Sequence, residues 1–241
     1  MKAIIDLVLL GILILCTWTG YKKGILMGIG GILCIVVGIY GANLLANLFS
    51  YDVVPAMKPF VSGYVEGQLL KADSRLLEQM GWNEQDYSVE DLLRQHPERQ
   101  TEFAAECYTA LGIDEATAEH MGERVVEYAG ENDVSVMDAT IHILCETASY
   151  LLCFILAFLL IVIILTVIGN LPNLSFKIPR LDLVNDIGGA VLGLFTGLMF
   201  CAVLVWALKF MGKLIGPATL SSTTFGGWLL RKDFLFKYLN I

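Results

Sequence analysis

Residues 181–208, LDLVNDIGGAVLGLFTGLMFCAVLVWAL, decide what kind of protein this is. The stretch carries no charge from residue 187 to residue 208, and 22 residues of α-helix are long enough to cross a bilayer. Gly189, Gly193 and Gly197 recur every fourth residue, so they line one side of the helix, where another backbone can approach closely. The stretch therefore predicts a membrane span packed against a second helix.

The composition of the whole chain is that of a membrane protein. Of 241 residues, 56% are apolar and 17% are charged, and the mean hydropathy is +0.66. A second set of glycines at helical spacing surrounds the turn between the first two apolar runs, at Gly20, Gly24 and Gly28. Four uncharged or nearly uncharged runs predict transmembrane helices at about 3–20, 25–49, 147–170 and 187–208. We therefore expect an all-α polytopic membrane protein with two glycine-rich hairpins, residues 1–49 and 147–211.

The segment between the hairpins, residues 50–146, is acidic, with apolar residues at helical spacing. It holds 20 acidic and 6 basic residues, whereas the rest of the chain is net positive. Breaks at Pro97, Gly112, Gly130 and Asn132 predict a small soluble domain of four or five helices, the last of which continues into the third span. Phosphate contacts need clustered Lys and Arg, so this charge argues against a nucleic-acid partner.

The basic residues of the short loops predict the orientation. Lys22, Lys23, Lys177 and Arg180 lie in two loops on one side of the predicted bundle, and this side is expected to face the cytoplasm. Both termini and the acidic segment then lie outside. The C-terminal residues 212–241 mix aromatic and basic side chains, as expected for an amphipathic segment in the membrane interface, and their positive charge favours the opposite orientation.

Three polar residues lie at or near the ends of predicted spans. Asp6 falls about one turn into the first span, where an ionisable group faces either a structural partner or a water-filled path. Asp6 also argues against a cleaved signal peptide, so the first helix is expected to be retained. Asn185 and Asp186 precede the fourth span, and capping of its N-terminus accounts for both. With both termini on one side, Asp6 and Asp186 lie near opposite membrane faces, which disfavours a direct pair.

The residue pattern predicts no catalytic, cofactor or metal site. The glycines of residues 189–197 lie in an apolar helix and follow no strand, which favours packing over a phosphate-binding loop. The three histidines have no zinc-ligand spacing, and the Ser/Thr run 221–224 lacks the surroundings of a nucleophile. Most cysteines fall in apolar runs and are expected as small buried hydrophobes, but a disulfide between Cys107 and Cys145 remains open if the acidic segment lies outside the cell.

Two stretches resemble one family. The opening IDLVLLGILILCTWTGYKKGILMGIGG, residues 5–31, is similar to the start of the colicin V production protein (CvpA) family, with an early acidic residue, an apolar span and a basic turn between glycines. NDIGGAVLGLFTGL, residues 185–198, resembles the family's second signature, an Asp or Asn four residues before a glycine ladder. The resemblance covers roughly residues 3–48 and 148–210. Asp186 departs from it, standing where the family often has a basic residue, and the acidic segment is longer than in compact members.

The resemblance implies a multi-pass protein of the bacterial cytoplasmic (inner) membrane, associated with production or export of a peptide toxin and with envelope maintenance. It supplies no reaction, so we expect a non-enzymatic accessory factor without cofactors. Its expected partners are the lipid bilayer, a second copy of the chain or other membrane proteins, including a peptide toxin export machinery. Two alternatives stay open: a small oligomeric transporter or channel whose path includes Asp6, Asn43, Asn47 and Asn185, and a membrane sensor that uses the acidic segment.

Overall fold

The structure, a computed structural model, describes residues 2–79, 89–170, 182–210 and 223–231. Within these ranges all regular structure is helical, which confirms the predicted class. The helices are α1 (Lys2–Gln79), α2 (Val89–Gln95), α3 (Gln100–Ala110), α4 (Glu115–Asn132), α5 (Val136–Asn170), α6 (Asp182–Lys209) and α7 (Thr224–Arg231), with a 3-10 turn at Pro97–Arg99.

Three described helices are long and apolar enough to cross a membrane, and they include Ala3–Gly63, Val136–Gly169 and Leu183–Lys209. The first of these stretches has 61 residues and would be about 90 Å long if straight, roughly three times the hydrocarbon core of a bilayer. It is not straight, because Gly24 has non-helical angles of φ 79° and ψ −179°. We call residues 2–23 the first arm of α1 and residues 25–79 its second arm.

The contacts of α1 with α6 show that the chain reverses direction at Gly24. Residues 9–20 of the first arm meet residues 201–189 of α6 in descending order, so the first arm is antiparallel to α6. Residues 24–31 meet residues 185–196 in ascending order, so the beginning of the second arm is parallel to α6. The glycines around the break therefore face α6.

Aromatic rings and a further glycine pack α5 into the same group of helices. Phe154 lies edge-on to Trp206 with ring centroids 5.0 Å apart, and the Phe158 and Phe200 centroids are 5.7 Å apart. A Cβ on Gly38 of the second arm would lie 3.2 Å from the Phe158 ring. The second arm, α5 and α6 thus surround a shared apolar interior.

The chain divides into two compact units, which we describe separately. One contains Met1–Leu48 and Leu152–Leu208 and holds the arms of α1 that contact α6. The other contains Phe49–Leu151, and we call it the acidic unit. The acidic unit has its own apolar core, in which α3 and α4 pack on the neighbouring parts of α1 and α5; its fully buried members include Phe103, Ala104, Cys107, Tyr108, Ala118, Val125 and Ala139.

The structure of the acidic unit shows where α4 ends and whether Cys107 and Cys145 form a disulfide. Of the two neighbouring predicted breaks, Gly130 lies inside α4, whereas Asn132 is the last residue of the helix and precedes Asp133 in the left-handed conformation. Its buried face is continuous up to Ala129, and this packing outweighs the cost of a helical glycine. Cys107 and Cys145 are buried free thiols, so the structure contains no disulfide between them.

Candidate functional site

The glycine faces of α1 and α6 meet each other directly. A Cβ atom on Gly20 would lie 2.9 Å from the Gly193 Cα and would overlap the Gly189 carbonyl oxygen. A Cβ on Gly193 would overlap the Cys16 carbonyl oxygen. One turn further on, a Cβ on Gly197 would lie 3.1 Å from the Cys16 Cβ. The two backbones are therefore in contact without intervening side chains, an arrangement that any larger residue would push apart.

A second contact with α6 forms where α1 breaks. Gly24 has a positive φ that L residues rarely adopt, and a Cβ there would lie 2.8 Å from the Asn185 Cγ. The Ile25 amide donates a hydrogen bond of 3.1 Å to Asn185 Oδ1. The first N–H groups after such a break lack acceptors in their own helix, and Asn185 supplies one. Further along the second arm, Gly28 contacts Leu192, since a Cβ on this glycine would lie 2.7 Å from the Leu192 Cβ.

The capping role expected for Asn185 and Asp186 at the start of α6 is therefore wrong for Asn185. Helix α6 begins at Asp182, so both residues lie inside it and not before it. The Asn185 side chain is 3% exposed and caps the second arm of α1, 160 residues away in the chain. Asp186 is only partly buried and follows at the next helical position.

Asp6 lies far from this junction. It is partly exposed and sits one turn before Leu9, whose carbonyl oxygen is 3.6 Å from Cys201 Sγ. Cys201 and Asp186 are 15 residues apart on α6, which corresponds to about 22 Å along the helix axis. The structure thus keeps Asp6 and Asp186 at opposite ends of α6.

The basic turn before Gly24 carries two lysines in different surroundings. The Lys22 ammonium lies 5.1 Å from the Trp18 ring centroid, a cation–π distance. Lys23 lines a cavity between the helices that opens to the surface. The other predicted topology-setting residues, Lys177 and Arg180, lie outside the described residues, as does most of the predicted C-terminal interfacial segment. Within that segment the structure describes only the short helix α7 and the residue before it.

The cavity has a volume of about 340 Å³ and lies between the two arms of α1, α5 and α6. This volume falls within the range of ~300–1,000 Å³ that is usual for small-molecule sites. Three glycines of the second arm form one wall of the cavity, and mostly apolar residues of α5 and α6 form another. The lining includes Gly28, Gly30, Gly31, Cys34, Val162, Leu165, Gly169, Thr196 and Phe200. Sequence reasoning missed this cavity, because four separate segments form it.

The acidic unit has a polar network around its core. The Tyr108 hydroxyl donates to the Thr140 carbonyl oxygen over 2.9 Å, and burial raises the pKa of Tyr108 above its ordinary value. Arg124 and Glu146 form a half-buried ion pair of 3.0 Å. Among the residues that the structure describes, no group of three or more His, Cys, Asp or Glu side chains could hold a metal ion. These two contacts therefore connect α3 and α4 to α5.

Comparison with known proteins finds one similar family. The family model described as Colicin V production protein matches residues 116–231, just under half of the chain. This part of the chain is therefore similar to the colicin V production (CvpA) family. The CvpA-family match begins within α4, includes α5 and α6 and ends with α7, so it covers the second signature and its glycines. The first signature lies outside the matched residues, and its likeness to the family remains a prediction.

The CvpA-family match and the three long apolar helices together indicate a transmembrane protein similar to colicin V production proteins. The family is not a known enzyme family. No curated protein and no solved structure matches the chain.

Proposed function

We propose that this protein is a non-enzymatic accessory factor of peptide-toxin production or export and of envelope maintenance, embedded in the bacterial cytoplasmic membrane. The family match across α5 and α6 is the observation that carries this proposal. The backbone contacts at Gly20 and Gly193 support it, because they build a rigid helix bundle whose remaining apolar faces are free to bind another membrane protein or a second copy.

The proposal includes four membrane crossings in a glycine-rich arrangement. Each arm of α1 supplies one crossing, since the reversal at Gly24 separates two apolar stretches, and α5 and α6 supply the others. The basic turn at Lys22 and Lys23 then faces the cytoplasm, and the acidic unit lies outside. This acidic unit, with its own buried core, is the part of the chain that would meet soluble partners in the envelope.

Deleting the gene in its own host tests the proposal. The deletion should lower the peptide toxin activity in the medium, measured on a sensitive strain, and should reduce survival in detergent. The wild-type gene on a plasmid should restore both. Gly193→Leu should not restore them at equal membrane level, because it forces the helices apart, whereas Gly11→Leu should, because a Cβ at Gly11 meets nothing within 4 Å. A deletion strain with unchanged toxin release and detergent survival would refute the proposed function.

A small oligomeric transporter or channel is a second candidate, and one contact favours it. Asn47 Nδ2 donates to Asn43 Oδ1 over 3.1 Å, and Asn47 lies on an exposed face of the apolar second arm. Amides on a lipid-facing surface are costly unless another helix covers them, so this pair suits an interface between copies. Reconstituted vesicles that show no ion or peptide flux with the wild-type chain would exclude this function. The sensor alternative has no such contact to support it.

A further inference from the structure

We propose that the cavity between the arms of α1, α5 and α6 binds an anionic phospholipid, with one acyl chain inside the cavity and the phosphate at Lys23. This inference goes beyond the proposed function and stands independently of it. It rests on the shape of the cavity, on the polarity along its length and on the position of Lys23, the charged residue among its described lining residues.

The helix order places the two ends of the cavity. Lys23 directly precedes the break at Gly24, so it marks the end that opens at the basic turn. The lining of α5 runs from Val162 to Gly169, and that of the second arm runs from Met27 to Ile35. Phe200 and Ile35 lie toward the other end, where the lining is apolar. The cavity spans about eight residues of each arm, or about 12 Å.

The interior of the cavity suits a hydrocarbon chain. The Thr19 and Thr196 hydroxyl groups, which lie in its wall, donate to the carbonyl oxygens of Leu15 and Leu192 in their own helices, at 2.7 Å and 2.9 Å. These hydroxyl protons are thus already used, and most of the remaining wall is glycine or apolar side chain. A water molecule needs two to four polar partners, so the end of the cavity away from Lys23 favours an apolar occupant.

The mouth of the cavity suits a phosphate. Within the part of the lining that the structure describes, Lys23 is the charged residue, and an anionic ligand would complement its ammonium group. Trp18 and Tyr21 flank the same turn with exposed rings, as aromatic side chains do at the level of lipid headgroups. A zwitterionic lipid would offer the same acyl chain but no net charge, so Lys23 predicts a preference for an anionic headgroup.

The experiment uses the purified full-length chain, delipidated in mild detergent and titrated with phosphatidylglycerol or phosphatidylcholine of identical acyl chains. Native mass spectrometry counts the bound lipid. Gly30→Leu fills the cavity, because Gly30 lines it and a Cβ there meets nothing within 4 Å; Gly11→Leu is the matched control with the same open surroundings outside the cavity. Gly30→Leu should weaken binding of both lipids about tenfold, and Gly11→Leu should leave it unchanged.

The charge is tested separately with Lys23→Gln, which removes the ammonium group but keeps a polar side chain, and with Lys22→Gln as the control from the same turn. Lys23→Gln should weaken phosphatidylglycerol binding about fivefold and leave phosphatidylcholine binding unchanged, since a lysine near a lipid phosphate contributes about one charge contact. Equal binding of the two lipids to the wild type, unchanged binding to Gly30→Leu, or equal losses in the two lysine variants would each overturn the proposal.

Discussion

Replacement of glycine by alanine should lower the free energy of unfolding at one glycine of this protein and raise it at another. Gly193→Ala adds a methyl group that overlaps the Cys16 carbonyl oxygen, so α6 must move away from the first arm of α1. Gly11→Ala adds the same methyl group on the first arm, where nothing lies within 4 Å. The pair therefore separates the effect of close packing from the effect of alanine itself.

The magnitudes follow from two opposing terms. Alanine favours a helix over glycine by roughly 0.5–1 kcal/mol, and this gain applies at both positions. Overpacking of a close contact costs about 1–3 kcal/mol, and it applies only at Gly193, where the obstructing atoms belong to the backbone and cannot rotate away. Gly193→Ala should thus lower the free energy of unfolding by up to about 2 kcal/mol. Gly11→Ala should raise it by roughly 0.5–1 kcal/mol, because only the alanine term applies there.

Titration of the purified protein with a denaturing detergent in mixed micelles, followed by far-ultraviolet circular dichroism, measures these differences. Gly193→Leu extends the series, because a larger side chain must separate the helices further. A Gly193→Ala protein that is as stable as Gly11→Ala would refute the backbone contact between α6 and the first arm. An unfolding free energy that rises from alanine to leucine at residue 193 would refute it as well.

Three further predictions use the same unfolding assay. Asn185→Ala should cost about 1–2 kcal/mol because it removes the acceptor of the Ile25 amide, while Asn185→Asp should retain most of the stability; equal losses would contradict the capping role. Gly24→Ala should cost about 1–2 kcal/mol or more, since an L residue resists the positive φ, and an unchanged midpoint would count against the break. Tyr108→Phe should cost roughly 1 kcal/mol by removing the bond to the Thr140 carbonyl, and no loss would show that the bond contributes nothing.

The sequence predicts the helical class well, because helix formation depends on local periodicity. Glycines at every fourth position share one side of a helix whatever surrounds it, so the sequence alone predicts a packing face at Gly189 and Gly193. The partner itself was not predictable. The pattern suggests close approach to a backbone, but it does not distinguish a neighbouring helix in the same hairpin from the first arm of α1, 170 residues earlier.

Long-range roles account for what sequence reasoning missed. The sequence around Asn185 predicts a helix cap at the start of α6. In the structure Asn185 does cap a helix, but that helix is the second arm of α1. The distinction depends on where α6 begins, which no local signal fixes within a few residues. Gly30 likewise has no distinguishing neighbours, and only the arrangement of four segments makes it part of a cavity wall.

The reversal at Gly24 is the central structural claim, because the glycine contacts, the cavity and the four proposed crossings all depend on it. Single cysteines at three exposed positions test it in a Cys-free chain: Ile4 on the first arm, Tyr21 in the basic turn and Tyr51 on the second arm. An impermeant thiol reagent applied to intact and to lysed cells assigns each position to one side of the membrane. Ile4→Cys and Tyr51→Cys should react on the same side and Tyr21→Cys on the opposite side. Reaction of Tyr21→Cys and Tyr51→Cys on the same side would contradict the reversal and, with it, the account of this membrane protein.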